Sequence, residues 1–266
     1  GPSCFELLGP LVATSQPRCR EQSVVGMARS FCRFAASIPP VPKLQDCDTL
    51  ASWVKGASQC LPDLRIRALP RQDMGPGSPL VLLGAFHSSE PAAAQVEAAV
   101  DALRPDNLGL ELCPRRFRRL FPFGVSAFAD LAEEDRRQLL ARLPSGKEQL
   151  TAAAAAHRHG IPIVPCDRDS AVTERRFLAS LSSEVLLAGA CESMGMSVEL
   201  DVKEPLDAAV TQCIVQERDA VLAHKLSQLP GLVLGVVGMR HVDGIASYLD
   251  SERGQEPQRL EDLCFA

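Results

Sequence analysis

Four short runs along the chain are apolar at nearly every position: LVLLGAF at 80–86, NLGLEL at 107–112, IPIVP at 161–165 and LVLGVVG at 232–238. A strand with one face in water alternates apolar and polar residues, so runs like these predict strands buried on both faces. Between them lie longer stretches with helical spacing. PAAAQVEAAVDALR and SGKEQLTAAAAAHRHG predict strong helices, the second stopped by Gly160, and further helices are expected at about 169–190 and 206–228. Strands alternating with helices predict an α/β fold, a mostly parallel central sheet flanked by helices.

The chain before Leu80 reads differently. EQSVVGMARSFCRFAAS and CDTLASWVKGASQCL have helical apolar spacing, and RQDMGPGSP at 71–79 is dense in glycine and proline. The expected organisation is a helical N-terminal extension over 1–79 and an α/β domain over 80–266. Composition adds bounds. A chain of 266 residues, 46% hydrophobic and 23% charged, can bury a sizeable core. Its balance of 28 basic against 33 acidic residues gives no general pull toward phosphates, which argues against nucleic acid as a partner. No apolar run reaches the roughly 18 residues of a membrane span, so no transmembrane segment is expected. Ten cysteines without a Cys-x-x-Cys pair argue against a zinc ribbon or thioredoxin-type site; five of them in the first sixty residues leave open an N-terminal disulfide framework, but free thiols in a reducing compartment are favoured. Gly1-Pro2 has the form of a protease-cleavage remnant, which leaves open targeting segments or anchors beyond either end.

Chemistry gathers where the apolar runs stop. Gly84-Ala85-Phe86-His87 and Gly238-Met239-Arg240-His241 share the spacing Gly-x-x-His at the end of a strand. In open α/β sheets ligands bind at the carboxyl ends of strands, where two imidazoles brought together can hold a divalent metal. A third strand ends in Glu111, a metal ligand, a general base, or a buried carboxylate neutralised by Arg116. A fourth ends in Asp167-Arg168-Asp169, where Asp169 or Ser170 can cap the following helix. Glu217-Arg218-Asp219 interrupts an amphipathic helix, a triplet that by itself reads as a solvated face. Arg116, Arg168, Arg176 and Arg218 would, if gathered, clamp an anionic group such as a carboxylate. Arg115, Arg118 and Arg119 read as surface residues, and His157, His159 and His224 carry no expected function. A nucleotide site is disfavoured because neither Gly-x-Gly-x-x-Gly nor a P-loop occurs, and Gly-x-Ser-x-Gly is absent too.

Taken in order, LLGAFHSSEPAAAQVEAAVDALRPDNLGLELCPRRF, GKEQLTAAAAAHRHGIPIVPCDRDSAVTERR, QERDAVLAHKL and LGVVGMRHVDGI resemble the TraB family, which includes bacterial pheromone-shutdown proteins and is distantly related to the Tiki metalloproteases. The resemblance covers residues 80 to about 249. His87 and His241 match the family's Gly-x-x-His histidines, Glu111 and Arg116 its Glu-Leu-x-x-x-Arg element, and Glu148 the glutamate that opens a helix after a glycine. Asp167, Arg168, Thr173 and Arg176 match its Asp-Arg and threonine-arginine element, and Glu217, Arg218 and Asp219 its Glu-Arg-Asp.

The resemblance implies two classes of function. One is a metal-dependent peptidase or hydrolase: His87, His241 and Glu111 hold manganese or cobalt rather than zinc, Glu148 or Glu217 moves protons, Arg168 or Arg218 stabilises an oxyanion, and Arg116 and Arg176 bind the ligand. The other is a non-catalytic adaptor or organelle-surface regulator, cytoplasmic or at the mitochondrial surface, with a protein partner at a membrane. A third expectation, from the residues alone, is a structural network of Glu–Arg pairs. Arg240 departs from the family pattern, which commonly has a small residue there, and a cation beside a metal ligand opposes binding unless it points away.

Overall fold

The computed structural model describes residues 47–69, 79–196, 203–251 and 263–264. In chain order the elements are helix α1 (Cys47–Cys60), strands β1 (Arg65–Leu69) and β2 (Leu80–Ala85), helix α2 (Glu90–Leu103) and strand β3 (Asn107–Leu110). Three short helices follow, α3 (Pro114–Leu120), α4 (Val125–Ala129) and α5 (Glu133–Arg142), then α6 (Lys147–Arg158) and β4 (Ile163–Pro165). Helices α7 (Ser170–Ser180), α8 (Ser183–Ser193) and α9 (Lys203–Ala209) lead into a π-helical stretch (Val210–Gln216), α10 (Glu217–Ser227), β5 (Val233–Gly238) and α11 (His241–Ser251).

The sheet order is β1-β2-β5-β3-β4, with β1 antiparallel to β2 and the other pairings parallel. This is the α/β architecture the sequence predicts. Alternate residues of the inner strands feed two cores. Val81, Leu83, Leu108, Leu110, Leu234 and Val236 pack with α1, α2 and α6 on one face, while Leu80, Leu82, Val233 and Val237 pack with α10 and α11 on the other. Helices on both faces are why these strands are apolar throughout. Alanines 152–156 of α6 are wholly buried, and such small side chains let that helix lie close to α2.

Three local expectations change. The stretch expected as one helix over 169–190 is two, broken at Leu181-Ser182, where Ser182 caps α8. The helix expected over 206–228 runs through a π-helical segment. Arg65–Leu69, placed in a helical extension, is an edge strand paired with β2 from Arg65↔Gly84 to Leu69↔Leu80. Leu50, Trp53, Ala57, Leu61 and Leu64 share the core of the α2 face, so residues 47–69 are part of the α/β body. The helix expected at 21–37 and the boundary at 71–79 lie outside the described residues, apart from Pro79.

Because β2, β5, β3 and β4 run parallel, their carboxyl ends emerge along one rim. That brings His87, His241, Glu111 and Asp167 together in the order of the sheet.

Candidate active site

The two Gly-x-x-His motifs interlock, and their glycines show why. A Cβ on Gly238 would lie 2.7 Å from His87 Nε2 and 3.2 Å from Glu111 Oε2, and one on Gly84 would run into the Val242 side chain of α11. Each motif's glycine is therefore the place where residues of the other motif come close. His87 is fixed from its backbone outward. Gly146, at φ +82, turns the chain into α6 and donates its N–H to the His87 carbonyl (2.8 Å). Glu148 in the first turn of that helix, a position the dipole favours for an acid, accepts from His87 Nδ1 at 2.6 Å. His241, opening α11, donates in the same way from Nδ1 to Asp219 of α10 (2.6 Å).

Between the two imidazoles sits Glu111, buried at the end of β3. Its Oε2 is 3.9 Å from His87 Nε2 and its Oε1 is 3.4 Å from His241 Nε2. The Gly238 N–H donates to Oε2 (2.5 Å), and Arg218 Nη2 donates to Oε1. Arg218 also donates to Asp167, Nε to Oδ1 at 3.1 Å and Nη2 to Oδ2 at 2.8 Å, and to the Ile214 carbonyl at 3.2 Å. Glu111 is thus neutralised by Arg218. Arg116, the partner expected from sequence, instead reaches Asp167 at 3.4 Å.

Arg168 and Glu217 lie in a second, more buried cluster. The Arg168 side chain is fully buried and donates to Glu217 (2.6 Å), Thr173 (3.1 Å) and the Cys213 carbonyl (2.9 Å). Arg176 grips both Glu217 oxygens, at 2.7 and 2.9 Å. This cluster meets the first at Asp167, whose Oδ1 accepts the Arg168 backbone N–H. Asp169 caps α7 through the Ala171 N–H, one of the two capping residues expected.

The charges follow from these contacts. Burial opposes the Glu111 charge, but Arg218 and His241 outweigh it and hold the carboxyl well below its usual range. Burial likewise disfavours the His241 imidazolium, yet Asp219 and Glu111 push its pKa up to about 9. His87 is raised too, by Glu148 and Glu111 against its burial. Asp219 is raised by its burial, against His241. In that buried pair we place the proton on His241 Nδ1, since an imidazole flanked by two carboxylates is the better base. Cys166, just before Asp167, is pushed up to about 12 by burial and is no nucleophile near neutrality.

The structure gathers His87, Glu111, His241, Glu148 and Arg218 into one contact network, with Arg116 at its edge. Arg168, Glu217 and Arg176 are engaged with one another. Two members were not picked out from sequence as site residues, Asp219 and Asp167. The signal for Asp167 was its place at the end of a strand, and that for Asp219 was the triplet: consecutive residues on a helix point about 100° apart, so Glu217, Arg218 and Asp219 face three partners, and Glu217 and Asp219 are buried where a solvated face was expected.

A metal is opposed by these charges. Imidazoles with Nδ1 on carboxylates are typical of metal-bound histidines. Here, though, both Glu111 oxygens are already engaged, and Arg218 Nη1 stands 3.4 Å from His241 Nε2. No group of three or more His, Cys, Asp or Glu side chains among the described residues is placed to hold a metal ion. As arranged, the donor set does not fit a divalent cation, and the obstructing charge is Arg218; Arg240 is exposed.

No family model matches this chain. It is similar to an uncharacterized protein of Methanocaldococcus jannaschii. The two are 24% identical over 223 residues, an alignment that covers 68% of this chain and 56% of the relative. The chain thus spans little more than half the length of that relative, whose name assigns no activity. No helix among the described residues is long and apolar enough to cross a membrane.

Proposed function

We propose that this chain is a TraB-like hydrolase that cleaves acyl bonds, peptides first, at the rim formed by β2, β5 and β3. The observation that supports this reading is a pair of histidines, each with Nδ1 on a carboxylate and Nε2 toward a shared glutamate, at the carboxyl ends of adjacent parallel strands. Such a carboxylate–imidazole pair orients the ring and leaves Nε2 to exchange protons. His87, with a side chain 41% exposed, is the proton carrier: in its neutral form Nε2 takes a proton from water as the oxygen attacks the acyl carbon. The same nitrogen returns that proton to the leaving amine. Arg218 and the His241 imidazolium supply positive field for the oxyanion, offsetting Glu111. Arg168, Arg176 and Glu217 anchor α7 to the segment around Cys213 and take no part in the chemistry.

The resemblance also brings a divalent ion, manganese or cobalt, with His87, His241 and Glu111 as its ligands, a role that this arrangement opposes while Arg218 holds Glu111. The steps above do not depend on it. The test is a peptidase assay on wild type, His87→Ala and His241→Ala, before and after chelation, with bound metal measured in parallel. Hydrolysis that survives chelation and is lost with His87→Ala supports the proposal. Histidine-dependent binding of manganese or cobalt, with activity lost on chelation, would establish the metal-dependent form.

A second reading, a non-catalytic adaptor at an organelle surface, cytoplasmic or mitochondrial, is favoured by the internally satisfied Arg168–Glu217–Arg176 cluster. A protein partner whose capture needs residues 1–79 and tolerates both histidine substitutions would select it.

A further inference from the structure

The four arginines expected to form an anion clamp do gather, but around the chain's own carboxylates, Asp167 and Glu217. They differ in what they have left to offer. Arg168 is buried and fully engaged, and Arg176 holds both Glu217 oxygens. Arg218, 11% exposed in its side chain, spends its donors on Glu111, Asp167 and Ile214. Arg116 is unlike these three. Its side chain is 47% exposed, and its polar contact among the described residues is one 3.4 Å approach to Asp167 Oδ2, an oxygen that Arg218 already holds at 2.8 Å. Among the described residues, Nε and Nη2 of Arg116 make no hydrogen bond.

Arg116 also stands close to the proposed chemistry. Its partner Asp167 shares Arg218 Nη2 with Glu111, and Glu111 lies 3.9 Å from His87 Nε2. Its charge is felt at His87, where it opposes protonation of the ring. A guanidinium with a free fork matches a carboxylate in a bidentate pair.

We propose, on the hydrolase reading above, that Arg116 anchors a free carboxylate of the substrate. The bond cleaved is then the acyl bond beside that carboxylate, as in the last residue of a peptide or in an N-acyl amino acid. Arg116 and His87 stand at the two ends of one contact chain through Asp167, Arg218 and Glu111, which is why the proposal assigns the carbonyl nearest the anchored carboxylate to His87 rather than bonds deep within a long chain. The reaction balances without a co-reactant: water adds OH to the acyl carbon, the C–N bond breaks, and the amine leaves with a proton.

The test uses matched pairs, N-acetyl-Ala-Phe and N-acetyl-Phe, each as free acid and as C-terminal amide, with hydrolysis followed by amine release and binding by calorimetry. The free acids should exceed their amides in kcat/KM by about tenfold or more, the worth of one charge-assisted contact. Arg116→Gln should collapse that ratio toward one, chiefly through KM, and Arg116→Lys should keep part of it. Arg119→Gln, on the same helix, should keep the ratio. If the peptide pair alone responds, C-terminal peptides are the source of the carboxylate; if the N-acyl pair alone responds, N-acyl amino acids are. Acid and amide hydrolysed at equal rates would overturn the carboxylate anchor while leaving the hydrolase. Arg116-dependent binding of the acids without hydrolysis would keep the anchor and sink the hydrolase. Equal binding of acid and amide, or none of either, overturns the anchor.

Discussion

His241 is where the chemistry and the stability of the rim meet. Its imidazolium lies between Asp219 and Glu111, so its pKa is raised from 6.5 to about 9. A group whose folded pKa is raised stabilises the fold fully below its unfolded value and loses that contribution as pH rises through the folded value. Stability should therefore fall between pH 6.5 and about 9, by up to about 3 kcal/mol, with His87 adding a smaller, solvent-screened effect of the same sign. Glu111, depressed chiefly by Arg218 against its burial, acts in the opposite direction: its contribution is present above 4.5 and is lost only in strong acid. Urea denaturation across pH should thus show greatest stability in mild acid, and His241→Ala should flatten the alkaline slope and cost about 3 kcal/mol at neutrality by leaving Asp219 unpaired. A slope unchanged in that variant would remove His241 as its source. Gly238 makes a sharper point. Gly238→Ala puts a methyl group into the space of His87 Nε2, so the imidazole must swing off its line to Glu111. We expect hydrolysis to fall by an order of magnitude or more for a loss of only about 1 kcal/mol in stability, since an exposed ring yields more readily than packed backbone. Activity and unfolding measured on the same sample decide this.

Among the elements, the π-helical stretch before α10 does the most to shape the site. Wider turns free backbone carbonyls from the helix ladder, and here those of Cys213 and Ile214 accept from Arg168 and Arg218. Removing one exposed residue from the stretch, Gln212, should restore ordinary α-helical pairing and take both carbonyls out of reach. Two charge-assisted bonds are then lost, at about 1.5–3 kcal/mol each. The expected result is a fold weakened by a few kcal/mol with Arg218 turned from Glu111, read from denaturation and from peptidase activity together; a deletion without effect would show that the π geometry is incidental. Nothing in VTQCIVQ announces this, because a π turn comes from what surrounds a helix more than from its composition. The inner strands are legible for the opposite reason: burial on both faces leaves an apolar run whatever the neighbours are. Strand β1 is not legible. RIRAL is an edge strand, and its Arg65 and Arg67 reach Asp243 at 2.7 and 3.6 Å on the outer side of α11, so charges stand where a buried strand would have none. The histidines could be found because each follows an apolar run and a glycine. Their carboxylate partners lie 61 and 22 residues away, and topology alone says which meets which.

At the scale of the whole molecule, the parallel sheet explains both where the site lies and what the segment before Leu80 contributes. Strands β2 and β5 present His87 and His241 side by side because their register runs unbroken from Leu80↔Val233 to Ala85↔Gly238. Strand β2 is held in place on its other edge by β1, along its length up to Gly84. A fragment of residues 80–266 would keep every residue of the proposed chemistry, yet lose this ladder and the buried side chains of Leu50, Trp53, Ala57, Leu61, Leu64 and Leu69. Each large apolar side chain withdrawn from the core costs about 2–5 kcal/mol, so the five large ones, at about 10–25 kcal/mol together, are enough to cancel the roughly 5–15 kcal/mol that separates folded from unfolded for a typical domain. The bared edge of β2, LVLLGA, would also offer a flat apolar template for self-association. The expected outcome is that 80–266 is insoluble or unfolds without cooperativity, while 47–266 folds and keeps its histidine-dependent activity. Circular dichroism melts and size-exclusion profiles of the two fragments make the comparison. A cooperative, monomeric 80–266 would mean that the sheet tolerates an open edge at β2, and that residues 47–69 cover the α/β body without holding it together.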